Sequence, residues 1–262
     1  MPELVEVEVA RRLLDAQTAG ATLLQIVPGA GTIVAGLDVR VEGVPIRRWV
    51  RKGKLLGAPL GVESAEQPWL LCHLGMTGKW VSDLGRKHER ARLETSQGAV
   101  AFVDPRRFGW LRVASAAEAR AAWSAIGPDA WHEPLSPDGL FDALSRRHGP
   151  LKQVLMDQRL IGGLGNIAVV DITFMAGLHP HRPASRCSLS DCAALVGATR
   201  RHLERLFALH ADGEITYLSE GGESPGLVYG KDGSPCPRCG ATLVLERLQG
   251  RPTVYCGGCQ RP

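Results

Sequence analysis

Residues 236–259 read CPRCGATLVLERLQGRPTVYCGGC, and the placing of their four cysteines decides how this end of the chain folds. Cys236 and Cys239 are separated by two residues, Cys256 and Cys259 likewise, and sixteen residues lie between the pairs. Each pair encloses Pro or Gly, which favour a tight turn. Two such knuckles joined by a short hairpin close a tetrahedral site of four thiolates, the donor set of zinc. A site closed in this way keeps no position for water, so the expected single Zn2+ ion is structural and catalysis belongs elsewhere. Cys72, Cys187 and Cys192 have no partner at this spacing and read as small buried hydrophobes. No basic-then-apolar segment opens the chain, so a reduced, cytoplasmic protein without a disulfide framework is expected.

Upstream of the cysteines the pattern is helical. The segments LFDALSRRHG, LKQVLMDQRLIGGLG, NIAVVDITFMAG and LSDCAALVGATRRHLERLFALHADG each read as a helix ended by glycine. In Gly162 to Pro180, GGLGNIAVVDITFMAGLHP, a glycine-rich turn runs into a helix whose first residues include Asn166. Backbone N–H groups and an amide side chain then face one point, which suits a phosphate; a glycine before a helix also serves as a plain turn. Residues 126–139, IGPDAWHEPLSPDG, hold three prolines and few core residues and read as a linker.

From Leu23 to about Val113 the apolar residues come instead in short runs and alternations such as WLLCHLGM and GAVAFVD, punctuated by Gly, Pro and Asp. A two-layer β-sandwich is expected, with VEVEVARRLLDAQTAG laid against it as a helix through Val5, Val9, Leu13 and Leu14. The chain is therefore expected to be α+β, with a β-sandwich domain at 1–125, the linker at 126–139, a helical domain at 140–227 and the zinc module at 228–262.

Composition fits this division. The 262 residues are 44% hydrophobic and 22% charged, enough for two cores, and no apolar run approaches the ~20 residues of a membrane span. The net charge of +4 is spread over both halves, so neither is a polycation. An acidic partner would be met by local clusters such as RRWVRKGK, Arg47 to Lys54, and DPRRFG, Asp104 to Gly109, which also serve as solvated faces.

The start of the chain, MPELVEVE, raises a chemical question. Methionine before proline is normally trimmed, which leaves Pro2 with a free secondary amine. An α-amino group titrates at about 7.7–8.0 against about 10.4 for lysine, so part of it is nucleophilic near neutral pH. Attack on a sugar C1′ gives an iminium ion that serves as an electron sink. Glu3 could protonate the ring oxygen as the sugar opens, provided that burial and the nearby Glu6 raise its pKa. The plainer alternative is that Pro2 begins the helix while Glu3 and Glu6 favour its dipole.

Five segments, in order along essentially the whole chain, resemble the formamidopyrimidine-DNA glycosylase and endonuclease VIII family: MPELVEVE, HLGMTGKW at His73 to Trp80, DPRRFG, GLGNI and the four-cysteine unit. The resemblance implies a β-sandwich domain and a helix-two-turn-helix domain with a zinc finger, with DNA in the cleft between them. It implies a monomeric bifunctional DNA glycosylase and AP lyase of base-excision repair, acting on double-stranded DNA that contains a damaged base or abasic site, at the bacterial nucleoid. Pro2 is then the Schiff-base nucleophile, Glu3 the acid catalyst and Lys54 a phosphate contact important for activity. Glu6 lies close to the lesion, Asn166 and Arg251 grip flanking phosphates, and Lys152 is a further DNA contact. Met76, Arg106 and Phe108 fill the gap left by the everted nucleotide and wedge the opposite strand. The implied product is a one-nucleotide gap made by β- and δ-elimination.

The chain departs from the family's pattern in three places. Val5 stands where proline is usual, and Ala168 where an aromatic usually follows GNI. Only a handful of residues separate Gly222 from Val228, where purine-specific members carry a loop that closes over 8-oxoguanine. The lesion therefore stays open among oxidised purines, oxidised pyrimidines, hydantoins, ring-opened purines and other adducts. A DNA-binding relative without chemistry is the main rival reading, and a zinc ribbon acting on RNA or protein is a weaker one. Retention of Pro2, Glu3 and Lys54 speaks against the first. The HLGM and DPRRFG segments speak against the second.

Overall fold

The computed structural model describes residues 2–29, 34–36, 41–210 and 226–262. These divide into two compact units, one within 1–125 and one within 126–262.

The first unit opens with α1 (Leu4–Thr18), followed by β1 (Thr22–Pro28), β2 (Val34–Ala35), β3 (Val44–Pro45), β4 (Val50–Lys52), β5 (Leu55–Pro59), β6 (Trp69–His73), β7 (Lys79–Val81), β8 (Glu89–Thr95), β9 (Gly98–Val103) and β10 (Trp110–Ala114). The strands form two five-stranded sheets, β3-β1-β8-β9-β7 and β2-β10-β6-β5-β4. Leu23, Leu93 and Phe102 from one sheet and Leu56, Leu70, Cys72 and Leu111 from the other share a single buried core, the sandwich read from the sequence.

Helix α1 is not the one-sided amphipathic helix that its spacing predicts. Leu4 to Ala10 are all buried, Glu6 and Glu8 included. The helix packs on β7 and β9 of one sheet and on β4 and β5 of the other, so it closes the open side where two sheet edges meet. Its bonds to the 48–54 segment fix its direction. Asp15 accepts the Trp49 N–H at 2.9 Å, Arg11 donates to the Trp49 carbonyl at 3.2 Å, and Glu8 accepts from Arg51 at 3.2 Å. The two segments therefore run antiparallel, and the start of α1 points toward the turn that carries Gly53 and Lys54.

Strand register gathers the loops. His73, the last residue of β6, lies opposite Leu55 at the start of β5 and opposite Trp110 at the start of β10. The Gly53–Lys54 turn, the 74–78 loop and the 104–109 loop thus leave the sandwich at the same end.

A further helix, α2 (Ala116–Ser124), covers β6 and β10, where Trp123 packs beside Trp69 at 6.1 Å between ring centroids. Its alanine-rich sequence carries no apolar period. The readable signal is the capping box, in which Ser115 accepts the Glu118 N–H at 3.2 Å and Glu118 accepts the Ser115 N–H at 2.8 Å.

The second unit contains α3 (Pro137–Ser145), α4 (Leu151–Leu155), α5 (Asn166–Ala176), α6 (Leu189–Leu209) and the hairpin of β11 (Val244–Leu248) and β12 (Arg251–Tyr255). Residues 126–139 are an ordered strap rather than a bare linker. Gly127 N–H donates to the Gln158 carbonyl, Gly162 N–H to Pro128 and Ala130 N–H to Gly162, while Ser136 caps α3 at its first turn. The helix expected across Leu151–Gly165 stops at Leu155. Asp157 takes the Arg159 N–H, and Gln158 bonds the Met156 and Leu164 carbonyls and the Gly163 N–H, so side chains supply the bonds that a helix would have made. Helix α5 is mostly apolar and buried from Asn166 through Phe174, as suits a core helix, with Asn166, Asp171 and Thr173 as its buried polar residues. The glycine stop expected for α6, Gly213, lies outside the described residues, as does the 222–225 part of the shortened loop. Among the described residues no helix is long and apolar enough to cross a membrane.

Candidate functional site

At the start of α1, Glu3 is the N-cap and Leu4 the first helical residue, so Pro2 precedes the helix instead of forming its first turn. Pro2 is buried, Glu3 is 4% exposed and Glu6 is 7% exposed. The Glu3 N–H donates to Glu6 Oε2 at 2.9 Å, which folds the Glu6 carboxylate back over the helix end. Two of the three candidate residues here are therefore acids held out of water beside the proline nitrogen's end of the chain. Val5 is buried in the first turn.

Lys54 is reached through Glu8 and Arg51, two residues that carry no mark of a role in the sequence. Glu8 accepts Arg11 Nη2 at 3.0 Å, Arg12 Nε at 3.3 Å and Arg51 Nε at 3.2 Å. Burial favours the neutral acid, yet the bonds and charges of Arg11 and Arg51 outweigh it and hold the Glu8 pKa below the ordinary glutamate value. Arg51, with a fully buried side chain, donates from Nη1 to the Gly53 carbonyl at 3.0 Å. One guanidinium thus joins α1 to the lysine turn. The signal is present in RRWVRKGK, but a run of cations does not reveal which of them points inward.

His73 is another residue without a role legible in the sequence, where HLGM draws attention to its methionine. Its Nδ1 accepts the Gly75 N–H at 3.0 Å, so the neutral ring carries its proton on Nε2. Burial and the charge of Lys54 push the His73 pKa below the ordinary histidine value, which keeps the ring a neutral N–H donor. On the neighbouring loops Phe108 is 54% exposed and Met76 half-buried, and the Arg106 guanidinium lies 4.9 Å from the Phe108 ring centroid. Phe108 is therefore no core residue.

In the second unit three candidate residues meet at one strand. Asn166 Nδ2 donates to the Pro252 carbonyl at 3.0 Å, and Lys152 Nζ donates to Thr253 Oγ1 at 2.8 Å and to the same carbonyl at 3.5 Å. Helices α4 and α5 thereby hold β12, and Arg251, the next residue along, stands exposed after a tight turn in which Gln249 and Gly250 both have positive φ. Lys152, expected as a further DNA contact, is 1% exposed and lies beneath the strand that carries Arg251. Burial, helped by the charge of Arg251, pushes its pKa down to about 8. The amide of Asn166 likewise spends its N–H on Pro252, while its buried Oδ1 has no hydrogen-bond partner among the described residues. Ala168 is buried in the first turn of α5. Lys152, Gln153, Met156, Gln249 and Arg251 line an open pocket on this face.

The four cysteines come together as their spacing predicts. All four Sγ atoms lie within 4.8 Å of one another, with Cys236–Cys259 at 3.8 Å and Cys239–Cys256 at 3.5 Å. Tetrahedral zinc with Zn–S near 2.3 Å requires sulfur atoms about 3.8 Å apart, so the site fits one Zn2+ held by Cys236, Cys239, Cys256 and Cys259. The module is bolted to α5. Arg238 donates to the Phe174 and Met175 carbonyls at 2.9 and 2.8 Å, capping the helix C-terminus, and Gln260 bridges the Cys256 N–H and the Leu178 carbonyl. Val170, Phe174, Leu243 and Val254 complete a shared apolar core. Asp171, buried on the same helix, accepts the N–H groups of Leu227, Val228 and Tyr229 and so fixes where the chain enters the module.

Comparison with known proteins matches residues 1–111 to the formamidopyrimidine-DNA glycosylase N-terminal domain, residues 126–218 to the H2TH domain of the same enzymes, and residues 233–262 to the zinc finger found in FPG and IleRS. Over 280 residues the chain is 32% identical to the formamidopyrimidine-DNA glycosylase of Shigella dysenteriae, covering 100% of both. Its structure resembles MutM (Fpg) of Thermus thermophilus with a TM-score of 0.85 and 34% identity over 99% of this chain and 98% of that one. It also resembles MutM in complex with DNA containing carbocyclic 8-oxo-G, with a TM-score of 0.88 and 28% identity over 100% of both chains.

Proposed function

The chain belongs to the formamidopyrimidine-DNA glycosylase family, and on that premise we propose that it removes a damaged base from duplex DNA and then cuts the strand through a Schiff base on Pro2. The observation that carries this reading is the start of α1, where Pro2 precedes the helix beside two buried acids, Glu3 and Glu6, and points toward the Lys54 turn.

In the proposed reaction the Pro2 nitrogen bonds to C1′, the damaged base leaves with the C1′–N bonding pair, and the proton given up by the Pro2 nitrogen passes to the departing base. Glu3 supplies the proton as the sugar ring opens. The resulting iminium withdraws electrons from C2′, so a C2′ proton passes to the Glu3 carboxylate and the 3′ phosphate leaves with its C–O bonding pair; loss of the C4′ proton to water then expels the 5′ phosphate in the same way. Lys54 and the Nε2–H of His73 hold phosphate on this unit. Met76, Arg106 and Phe108 occupy the space of the everted nucleotide, a step that costs a few kcal/mol. In the second unit Arg251 is the exposed phosphate ligand, and Lys152 and Asn166 position it. Their cations give affinity without sequence choice. The Zn2+ supplies no chemistry; it holds the module that carries Arg251. We infer a monomer that works on chromosomal DNA in the cytoplasm, with the preferred lesion among the oxidised or ring-opened bases.

Borohydride reduction with a duplex carrying one abasic site tests the reading. A covalent protein–DNA band of about one-to-one stoichiometry is the expected result. Binding of the duplex without any band supports the non-catalytic rival and sinks the proposal.

The lowered pKa of Lys152 gives a second expectation. As pH rises through about 8 the ammonium beneath Arg251 loses its proton, and affinity for the duplex at constant ionic strength falls by roughly tenfold. Fold stability moves the other way. The folded pKa lies below the unfolded one, so the unfolded chain binds more protons between about 8 and 10.5, and stability rises with pH across that window. Lys152→Met removes the inflection in affinity. Fluorescence anisotropy from pH 7 to 9.5 reads it, and an unchanged inflection in the variant rejects the assignment.

A further inference from the structure

One carboxylate joins the two loops that carry Met76, Arg106 and Phe108. Asp104, with no exposed surface, accepts the Thr77 Oγ1–H at 2.6 Å and the Arg106 N–H at 3.2 Å on Oδ1, and the Gly109 N–H at 2.8 Å on Oδ2. Its own carbonyl accepts Arg90 Nε at 2.9 Å. All three side-chain bonds therefore run to the loops themselves, one to 74–78 and two to 104–109.

The loops lie backbone on backbone. A Cβ on Gly75 would stand 2.3 Å from the Gly109 nitrogen, and one on Gly109 would stand 2.6 Å from the Phe102 ring and 2.9 Å from the His73 carbonyl. Between Arg106 and Phe108 the chain passes through Arg107 at φ 57°, a left-handed conformation that a side-chain-bearing residue rarely takes without external support. Asp104 supplies that support from both sides, because it holds the amide of Arg106 before the bend and the amide of Gly109 after it. The exposed Phe108 ring and the Arg106 guanidinium are thus fixed by a buried anion that itself reaches no solvent.

We propose that Asp104 is the positioning residue for eversion of the nucleotide: it makes Met76, Arg106 and Phe108 one rigid surface, so that work on paired DNA depends on it while the chemistry of the Pro2 amine does not. This rests on the function proposed above. Both side-chain oxygens of Asp104 act as acceptors, Oδ1 for two donors and Oδ2 for one. An amide in its place presents an N–H to at least one of those donors and loses that bond.

The experiment compares wild type with Asp104→Asn. The probes are one abasic-site strand used alone, the same strand in a duplex, and the same strand with the site inside an unpaired bubble, and the readout is the rate of borohydride trapping on each. For wild type the duplex is handled at a rate similar to the bubble. In Asp104→Asn the duplex-to-bubble ratio is expected to fall at least tenfold, with trapping on the single strand within about threefold of wild type. A merely structural role would lower all three rates together. Thr77→Val removes one donor and leaves the carboxylate in place, so it is expected to shift the same ratio by a smaller factor, and it replaces Asp104→Asn if that variant does not fold. Active wild type with an unchanged ratio in the folded variants overturns the positioning role alone. Wild type that traps no DNA at all overturns the function on which the role rests.

Discussion

Pro2→Gly is expected to lower borohydride trapping on abasic DNA about a hundredfold, within the range typical of losing one group from covalent or acid–base catalysis. Glycine leaves an amine at the same place, so the loss reports what is particular to proline. A secondary amine gives an iminium that is cationic at every pH, whereas a primary amine gives an imine that becomes an electron sink only when protonated. Glycine also removes the ring that fixes the orientation of the nitrogen and its lone pair just before the N-cap residue Glu3. Duplex affinity should change little, because the proposed phosphate ligands Lys54, His73 and Arg251 are untouched. Quantitative trapping together with anisotropy separates the two effects. Trapping at the wild-type rate in the variant would show that the adduct does not need the proline ring, and peptide mapping of the reduced adduct would then tell the terminal amine from Lys54.

Removing the metal should have the other large effect, and of the opposite kind. Structural zinc sites of this type contribute about 10–16 kcal/mol, as much as the whole stability of an ordinary domain, so Cys256→Ser or chelation should unfold the module. The Arg238 cap on α5, the Gln260 bridge and the shared core around Phe174 are lost with it, and so is the strand to which Asn166 and Lys152 are bonded. Duplex affinity is expected to fall at least a hundredfold as about one equivalent of zinc is released. The core of residues 1–125 contains no side chain of the module, so β-sheet circular dichroism should persist, as should slow trapping on single-stranded abasic DNA at high concentration. A metal-free protein that binds duplex as tightly as before would refute the proposed role of Arg251.

These expectations draw on parts of the molecule that differ in how plainly they are written in the sequence. The zinc site is legible in full, since four thiolates at fixed spacing have few other geometries to adopt, and their sulfur atoms meet as expected. The sandwich is legible from its alternations. Helix α1 is legible as a helix, but the burial of its first half on every side is not, because sequence shows the period of a helix and not the number of surfaces it meets. The stop of α4 at Leu155 is hidden for a different reason: LKQVLMDQRL has good helix formers throughout, and only the bonds of Asp157 and Gln158 break it. Tertiary hydrogen bonding of that kind overrides propensity. Lys152 is legible as a cation near phosphate chemistry, yet its depth depends on Thr253, about a hundred residues away. Glu8, Arg51 and Asp104 have no local mark at all. Each sits in a motif read for its neighbours, and each is defined by partners that only the folded chain supplies.

The pairing of Glu8 with Arg51 bears on how this protein can be altered. The helix that presents the proline and the turn that presents the lysine are locked by ions with almost no access to water, and a buried charge left without its counterpart is strongly destabilising, by about 3–5 kcal/mol. Neither segment can be exchanged piecemeal. A chimaera built from a relative must carry residues 2–15 and 48–55 across as a single cassette, and natural drift at one position has to await a compensating change at the other.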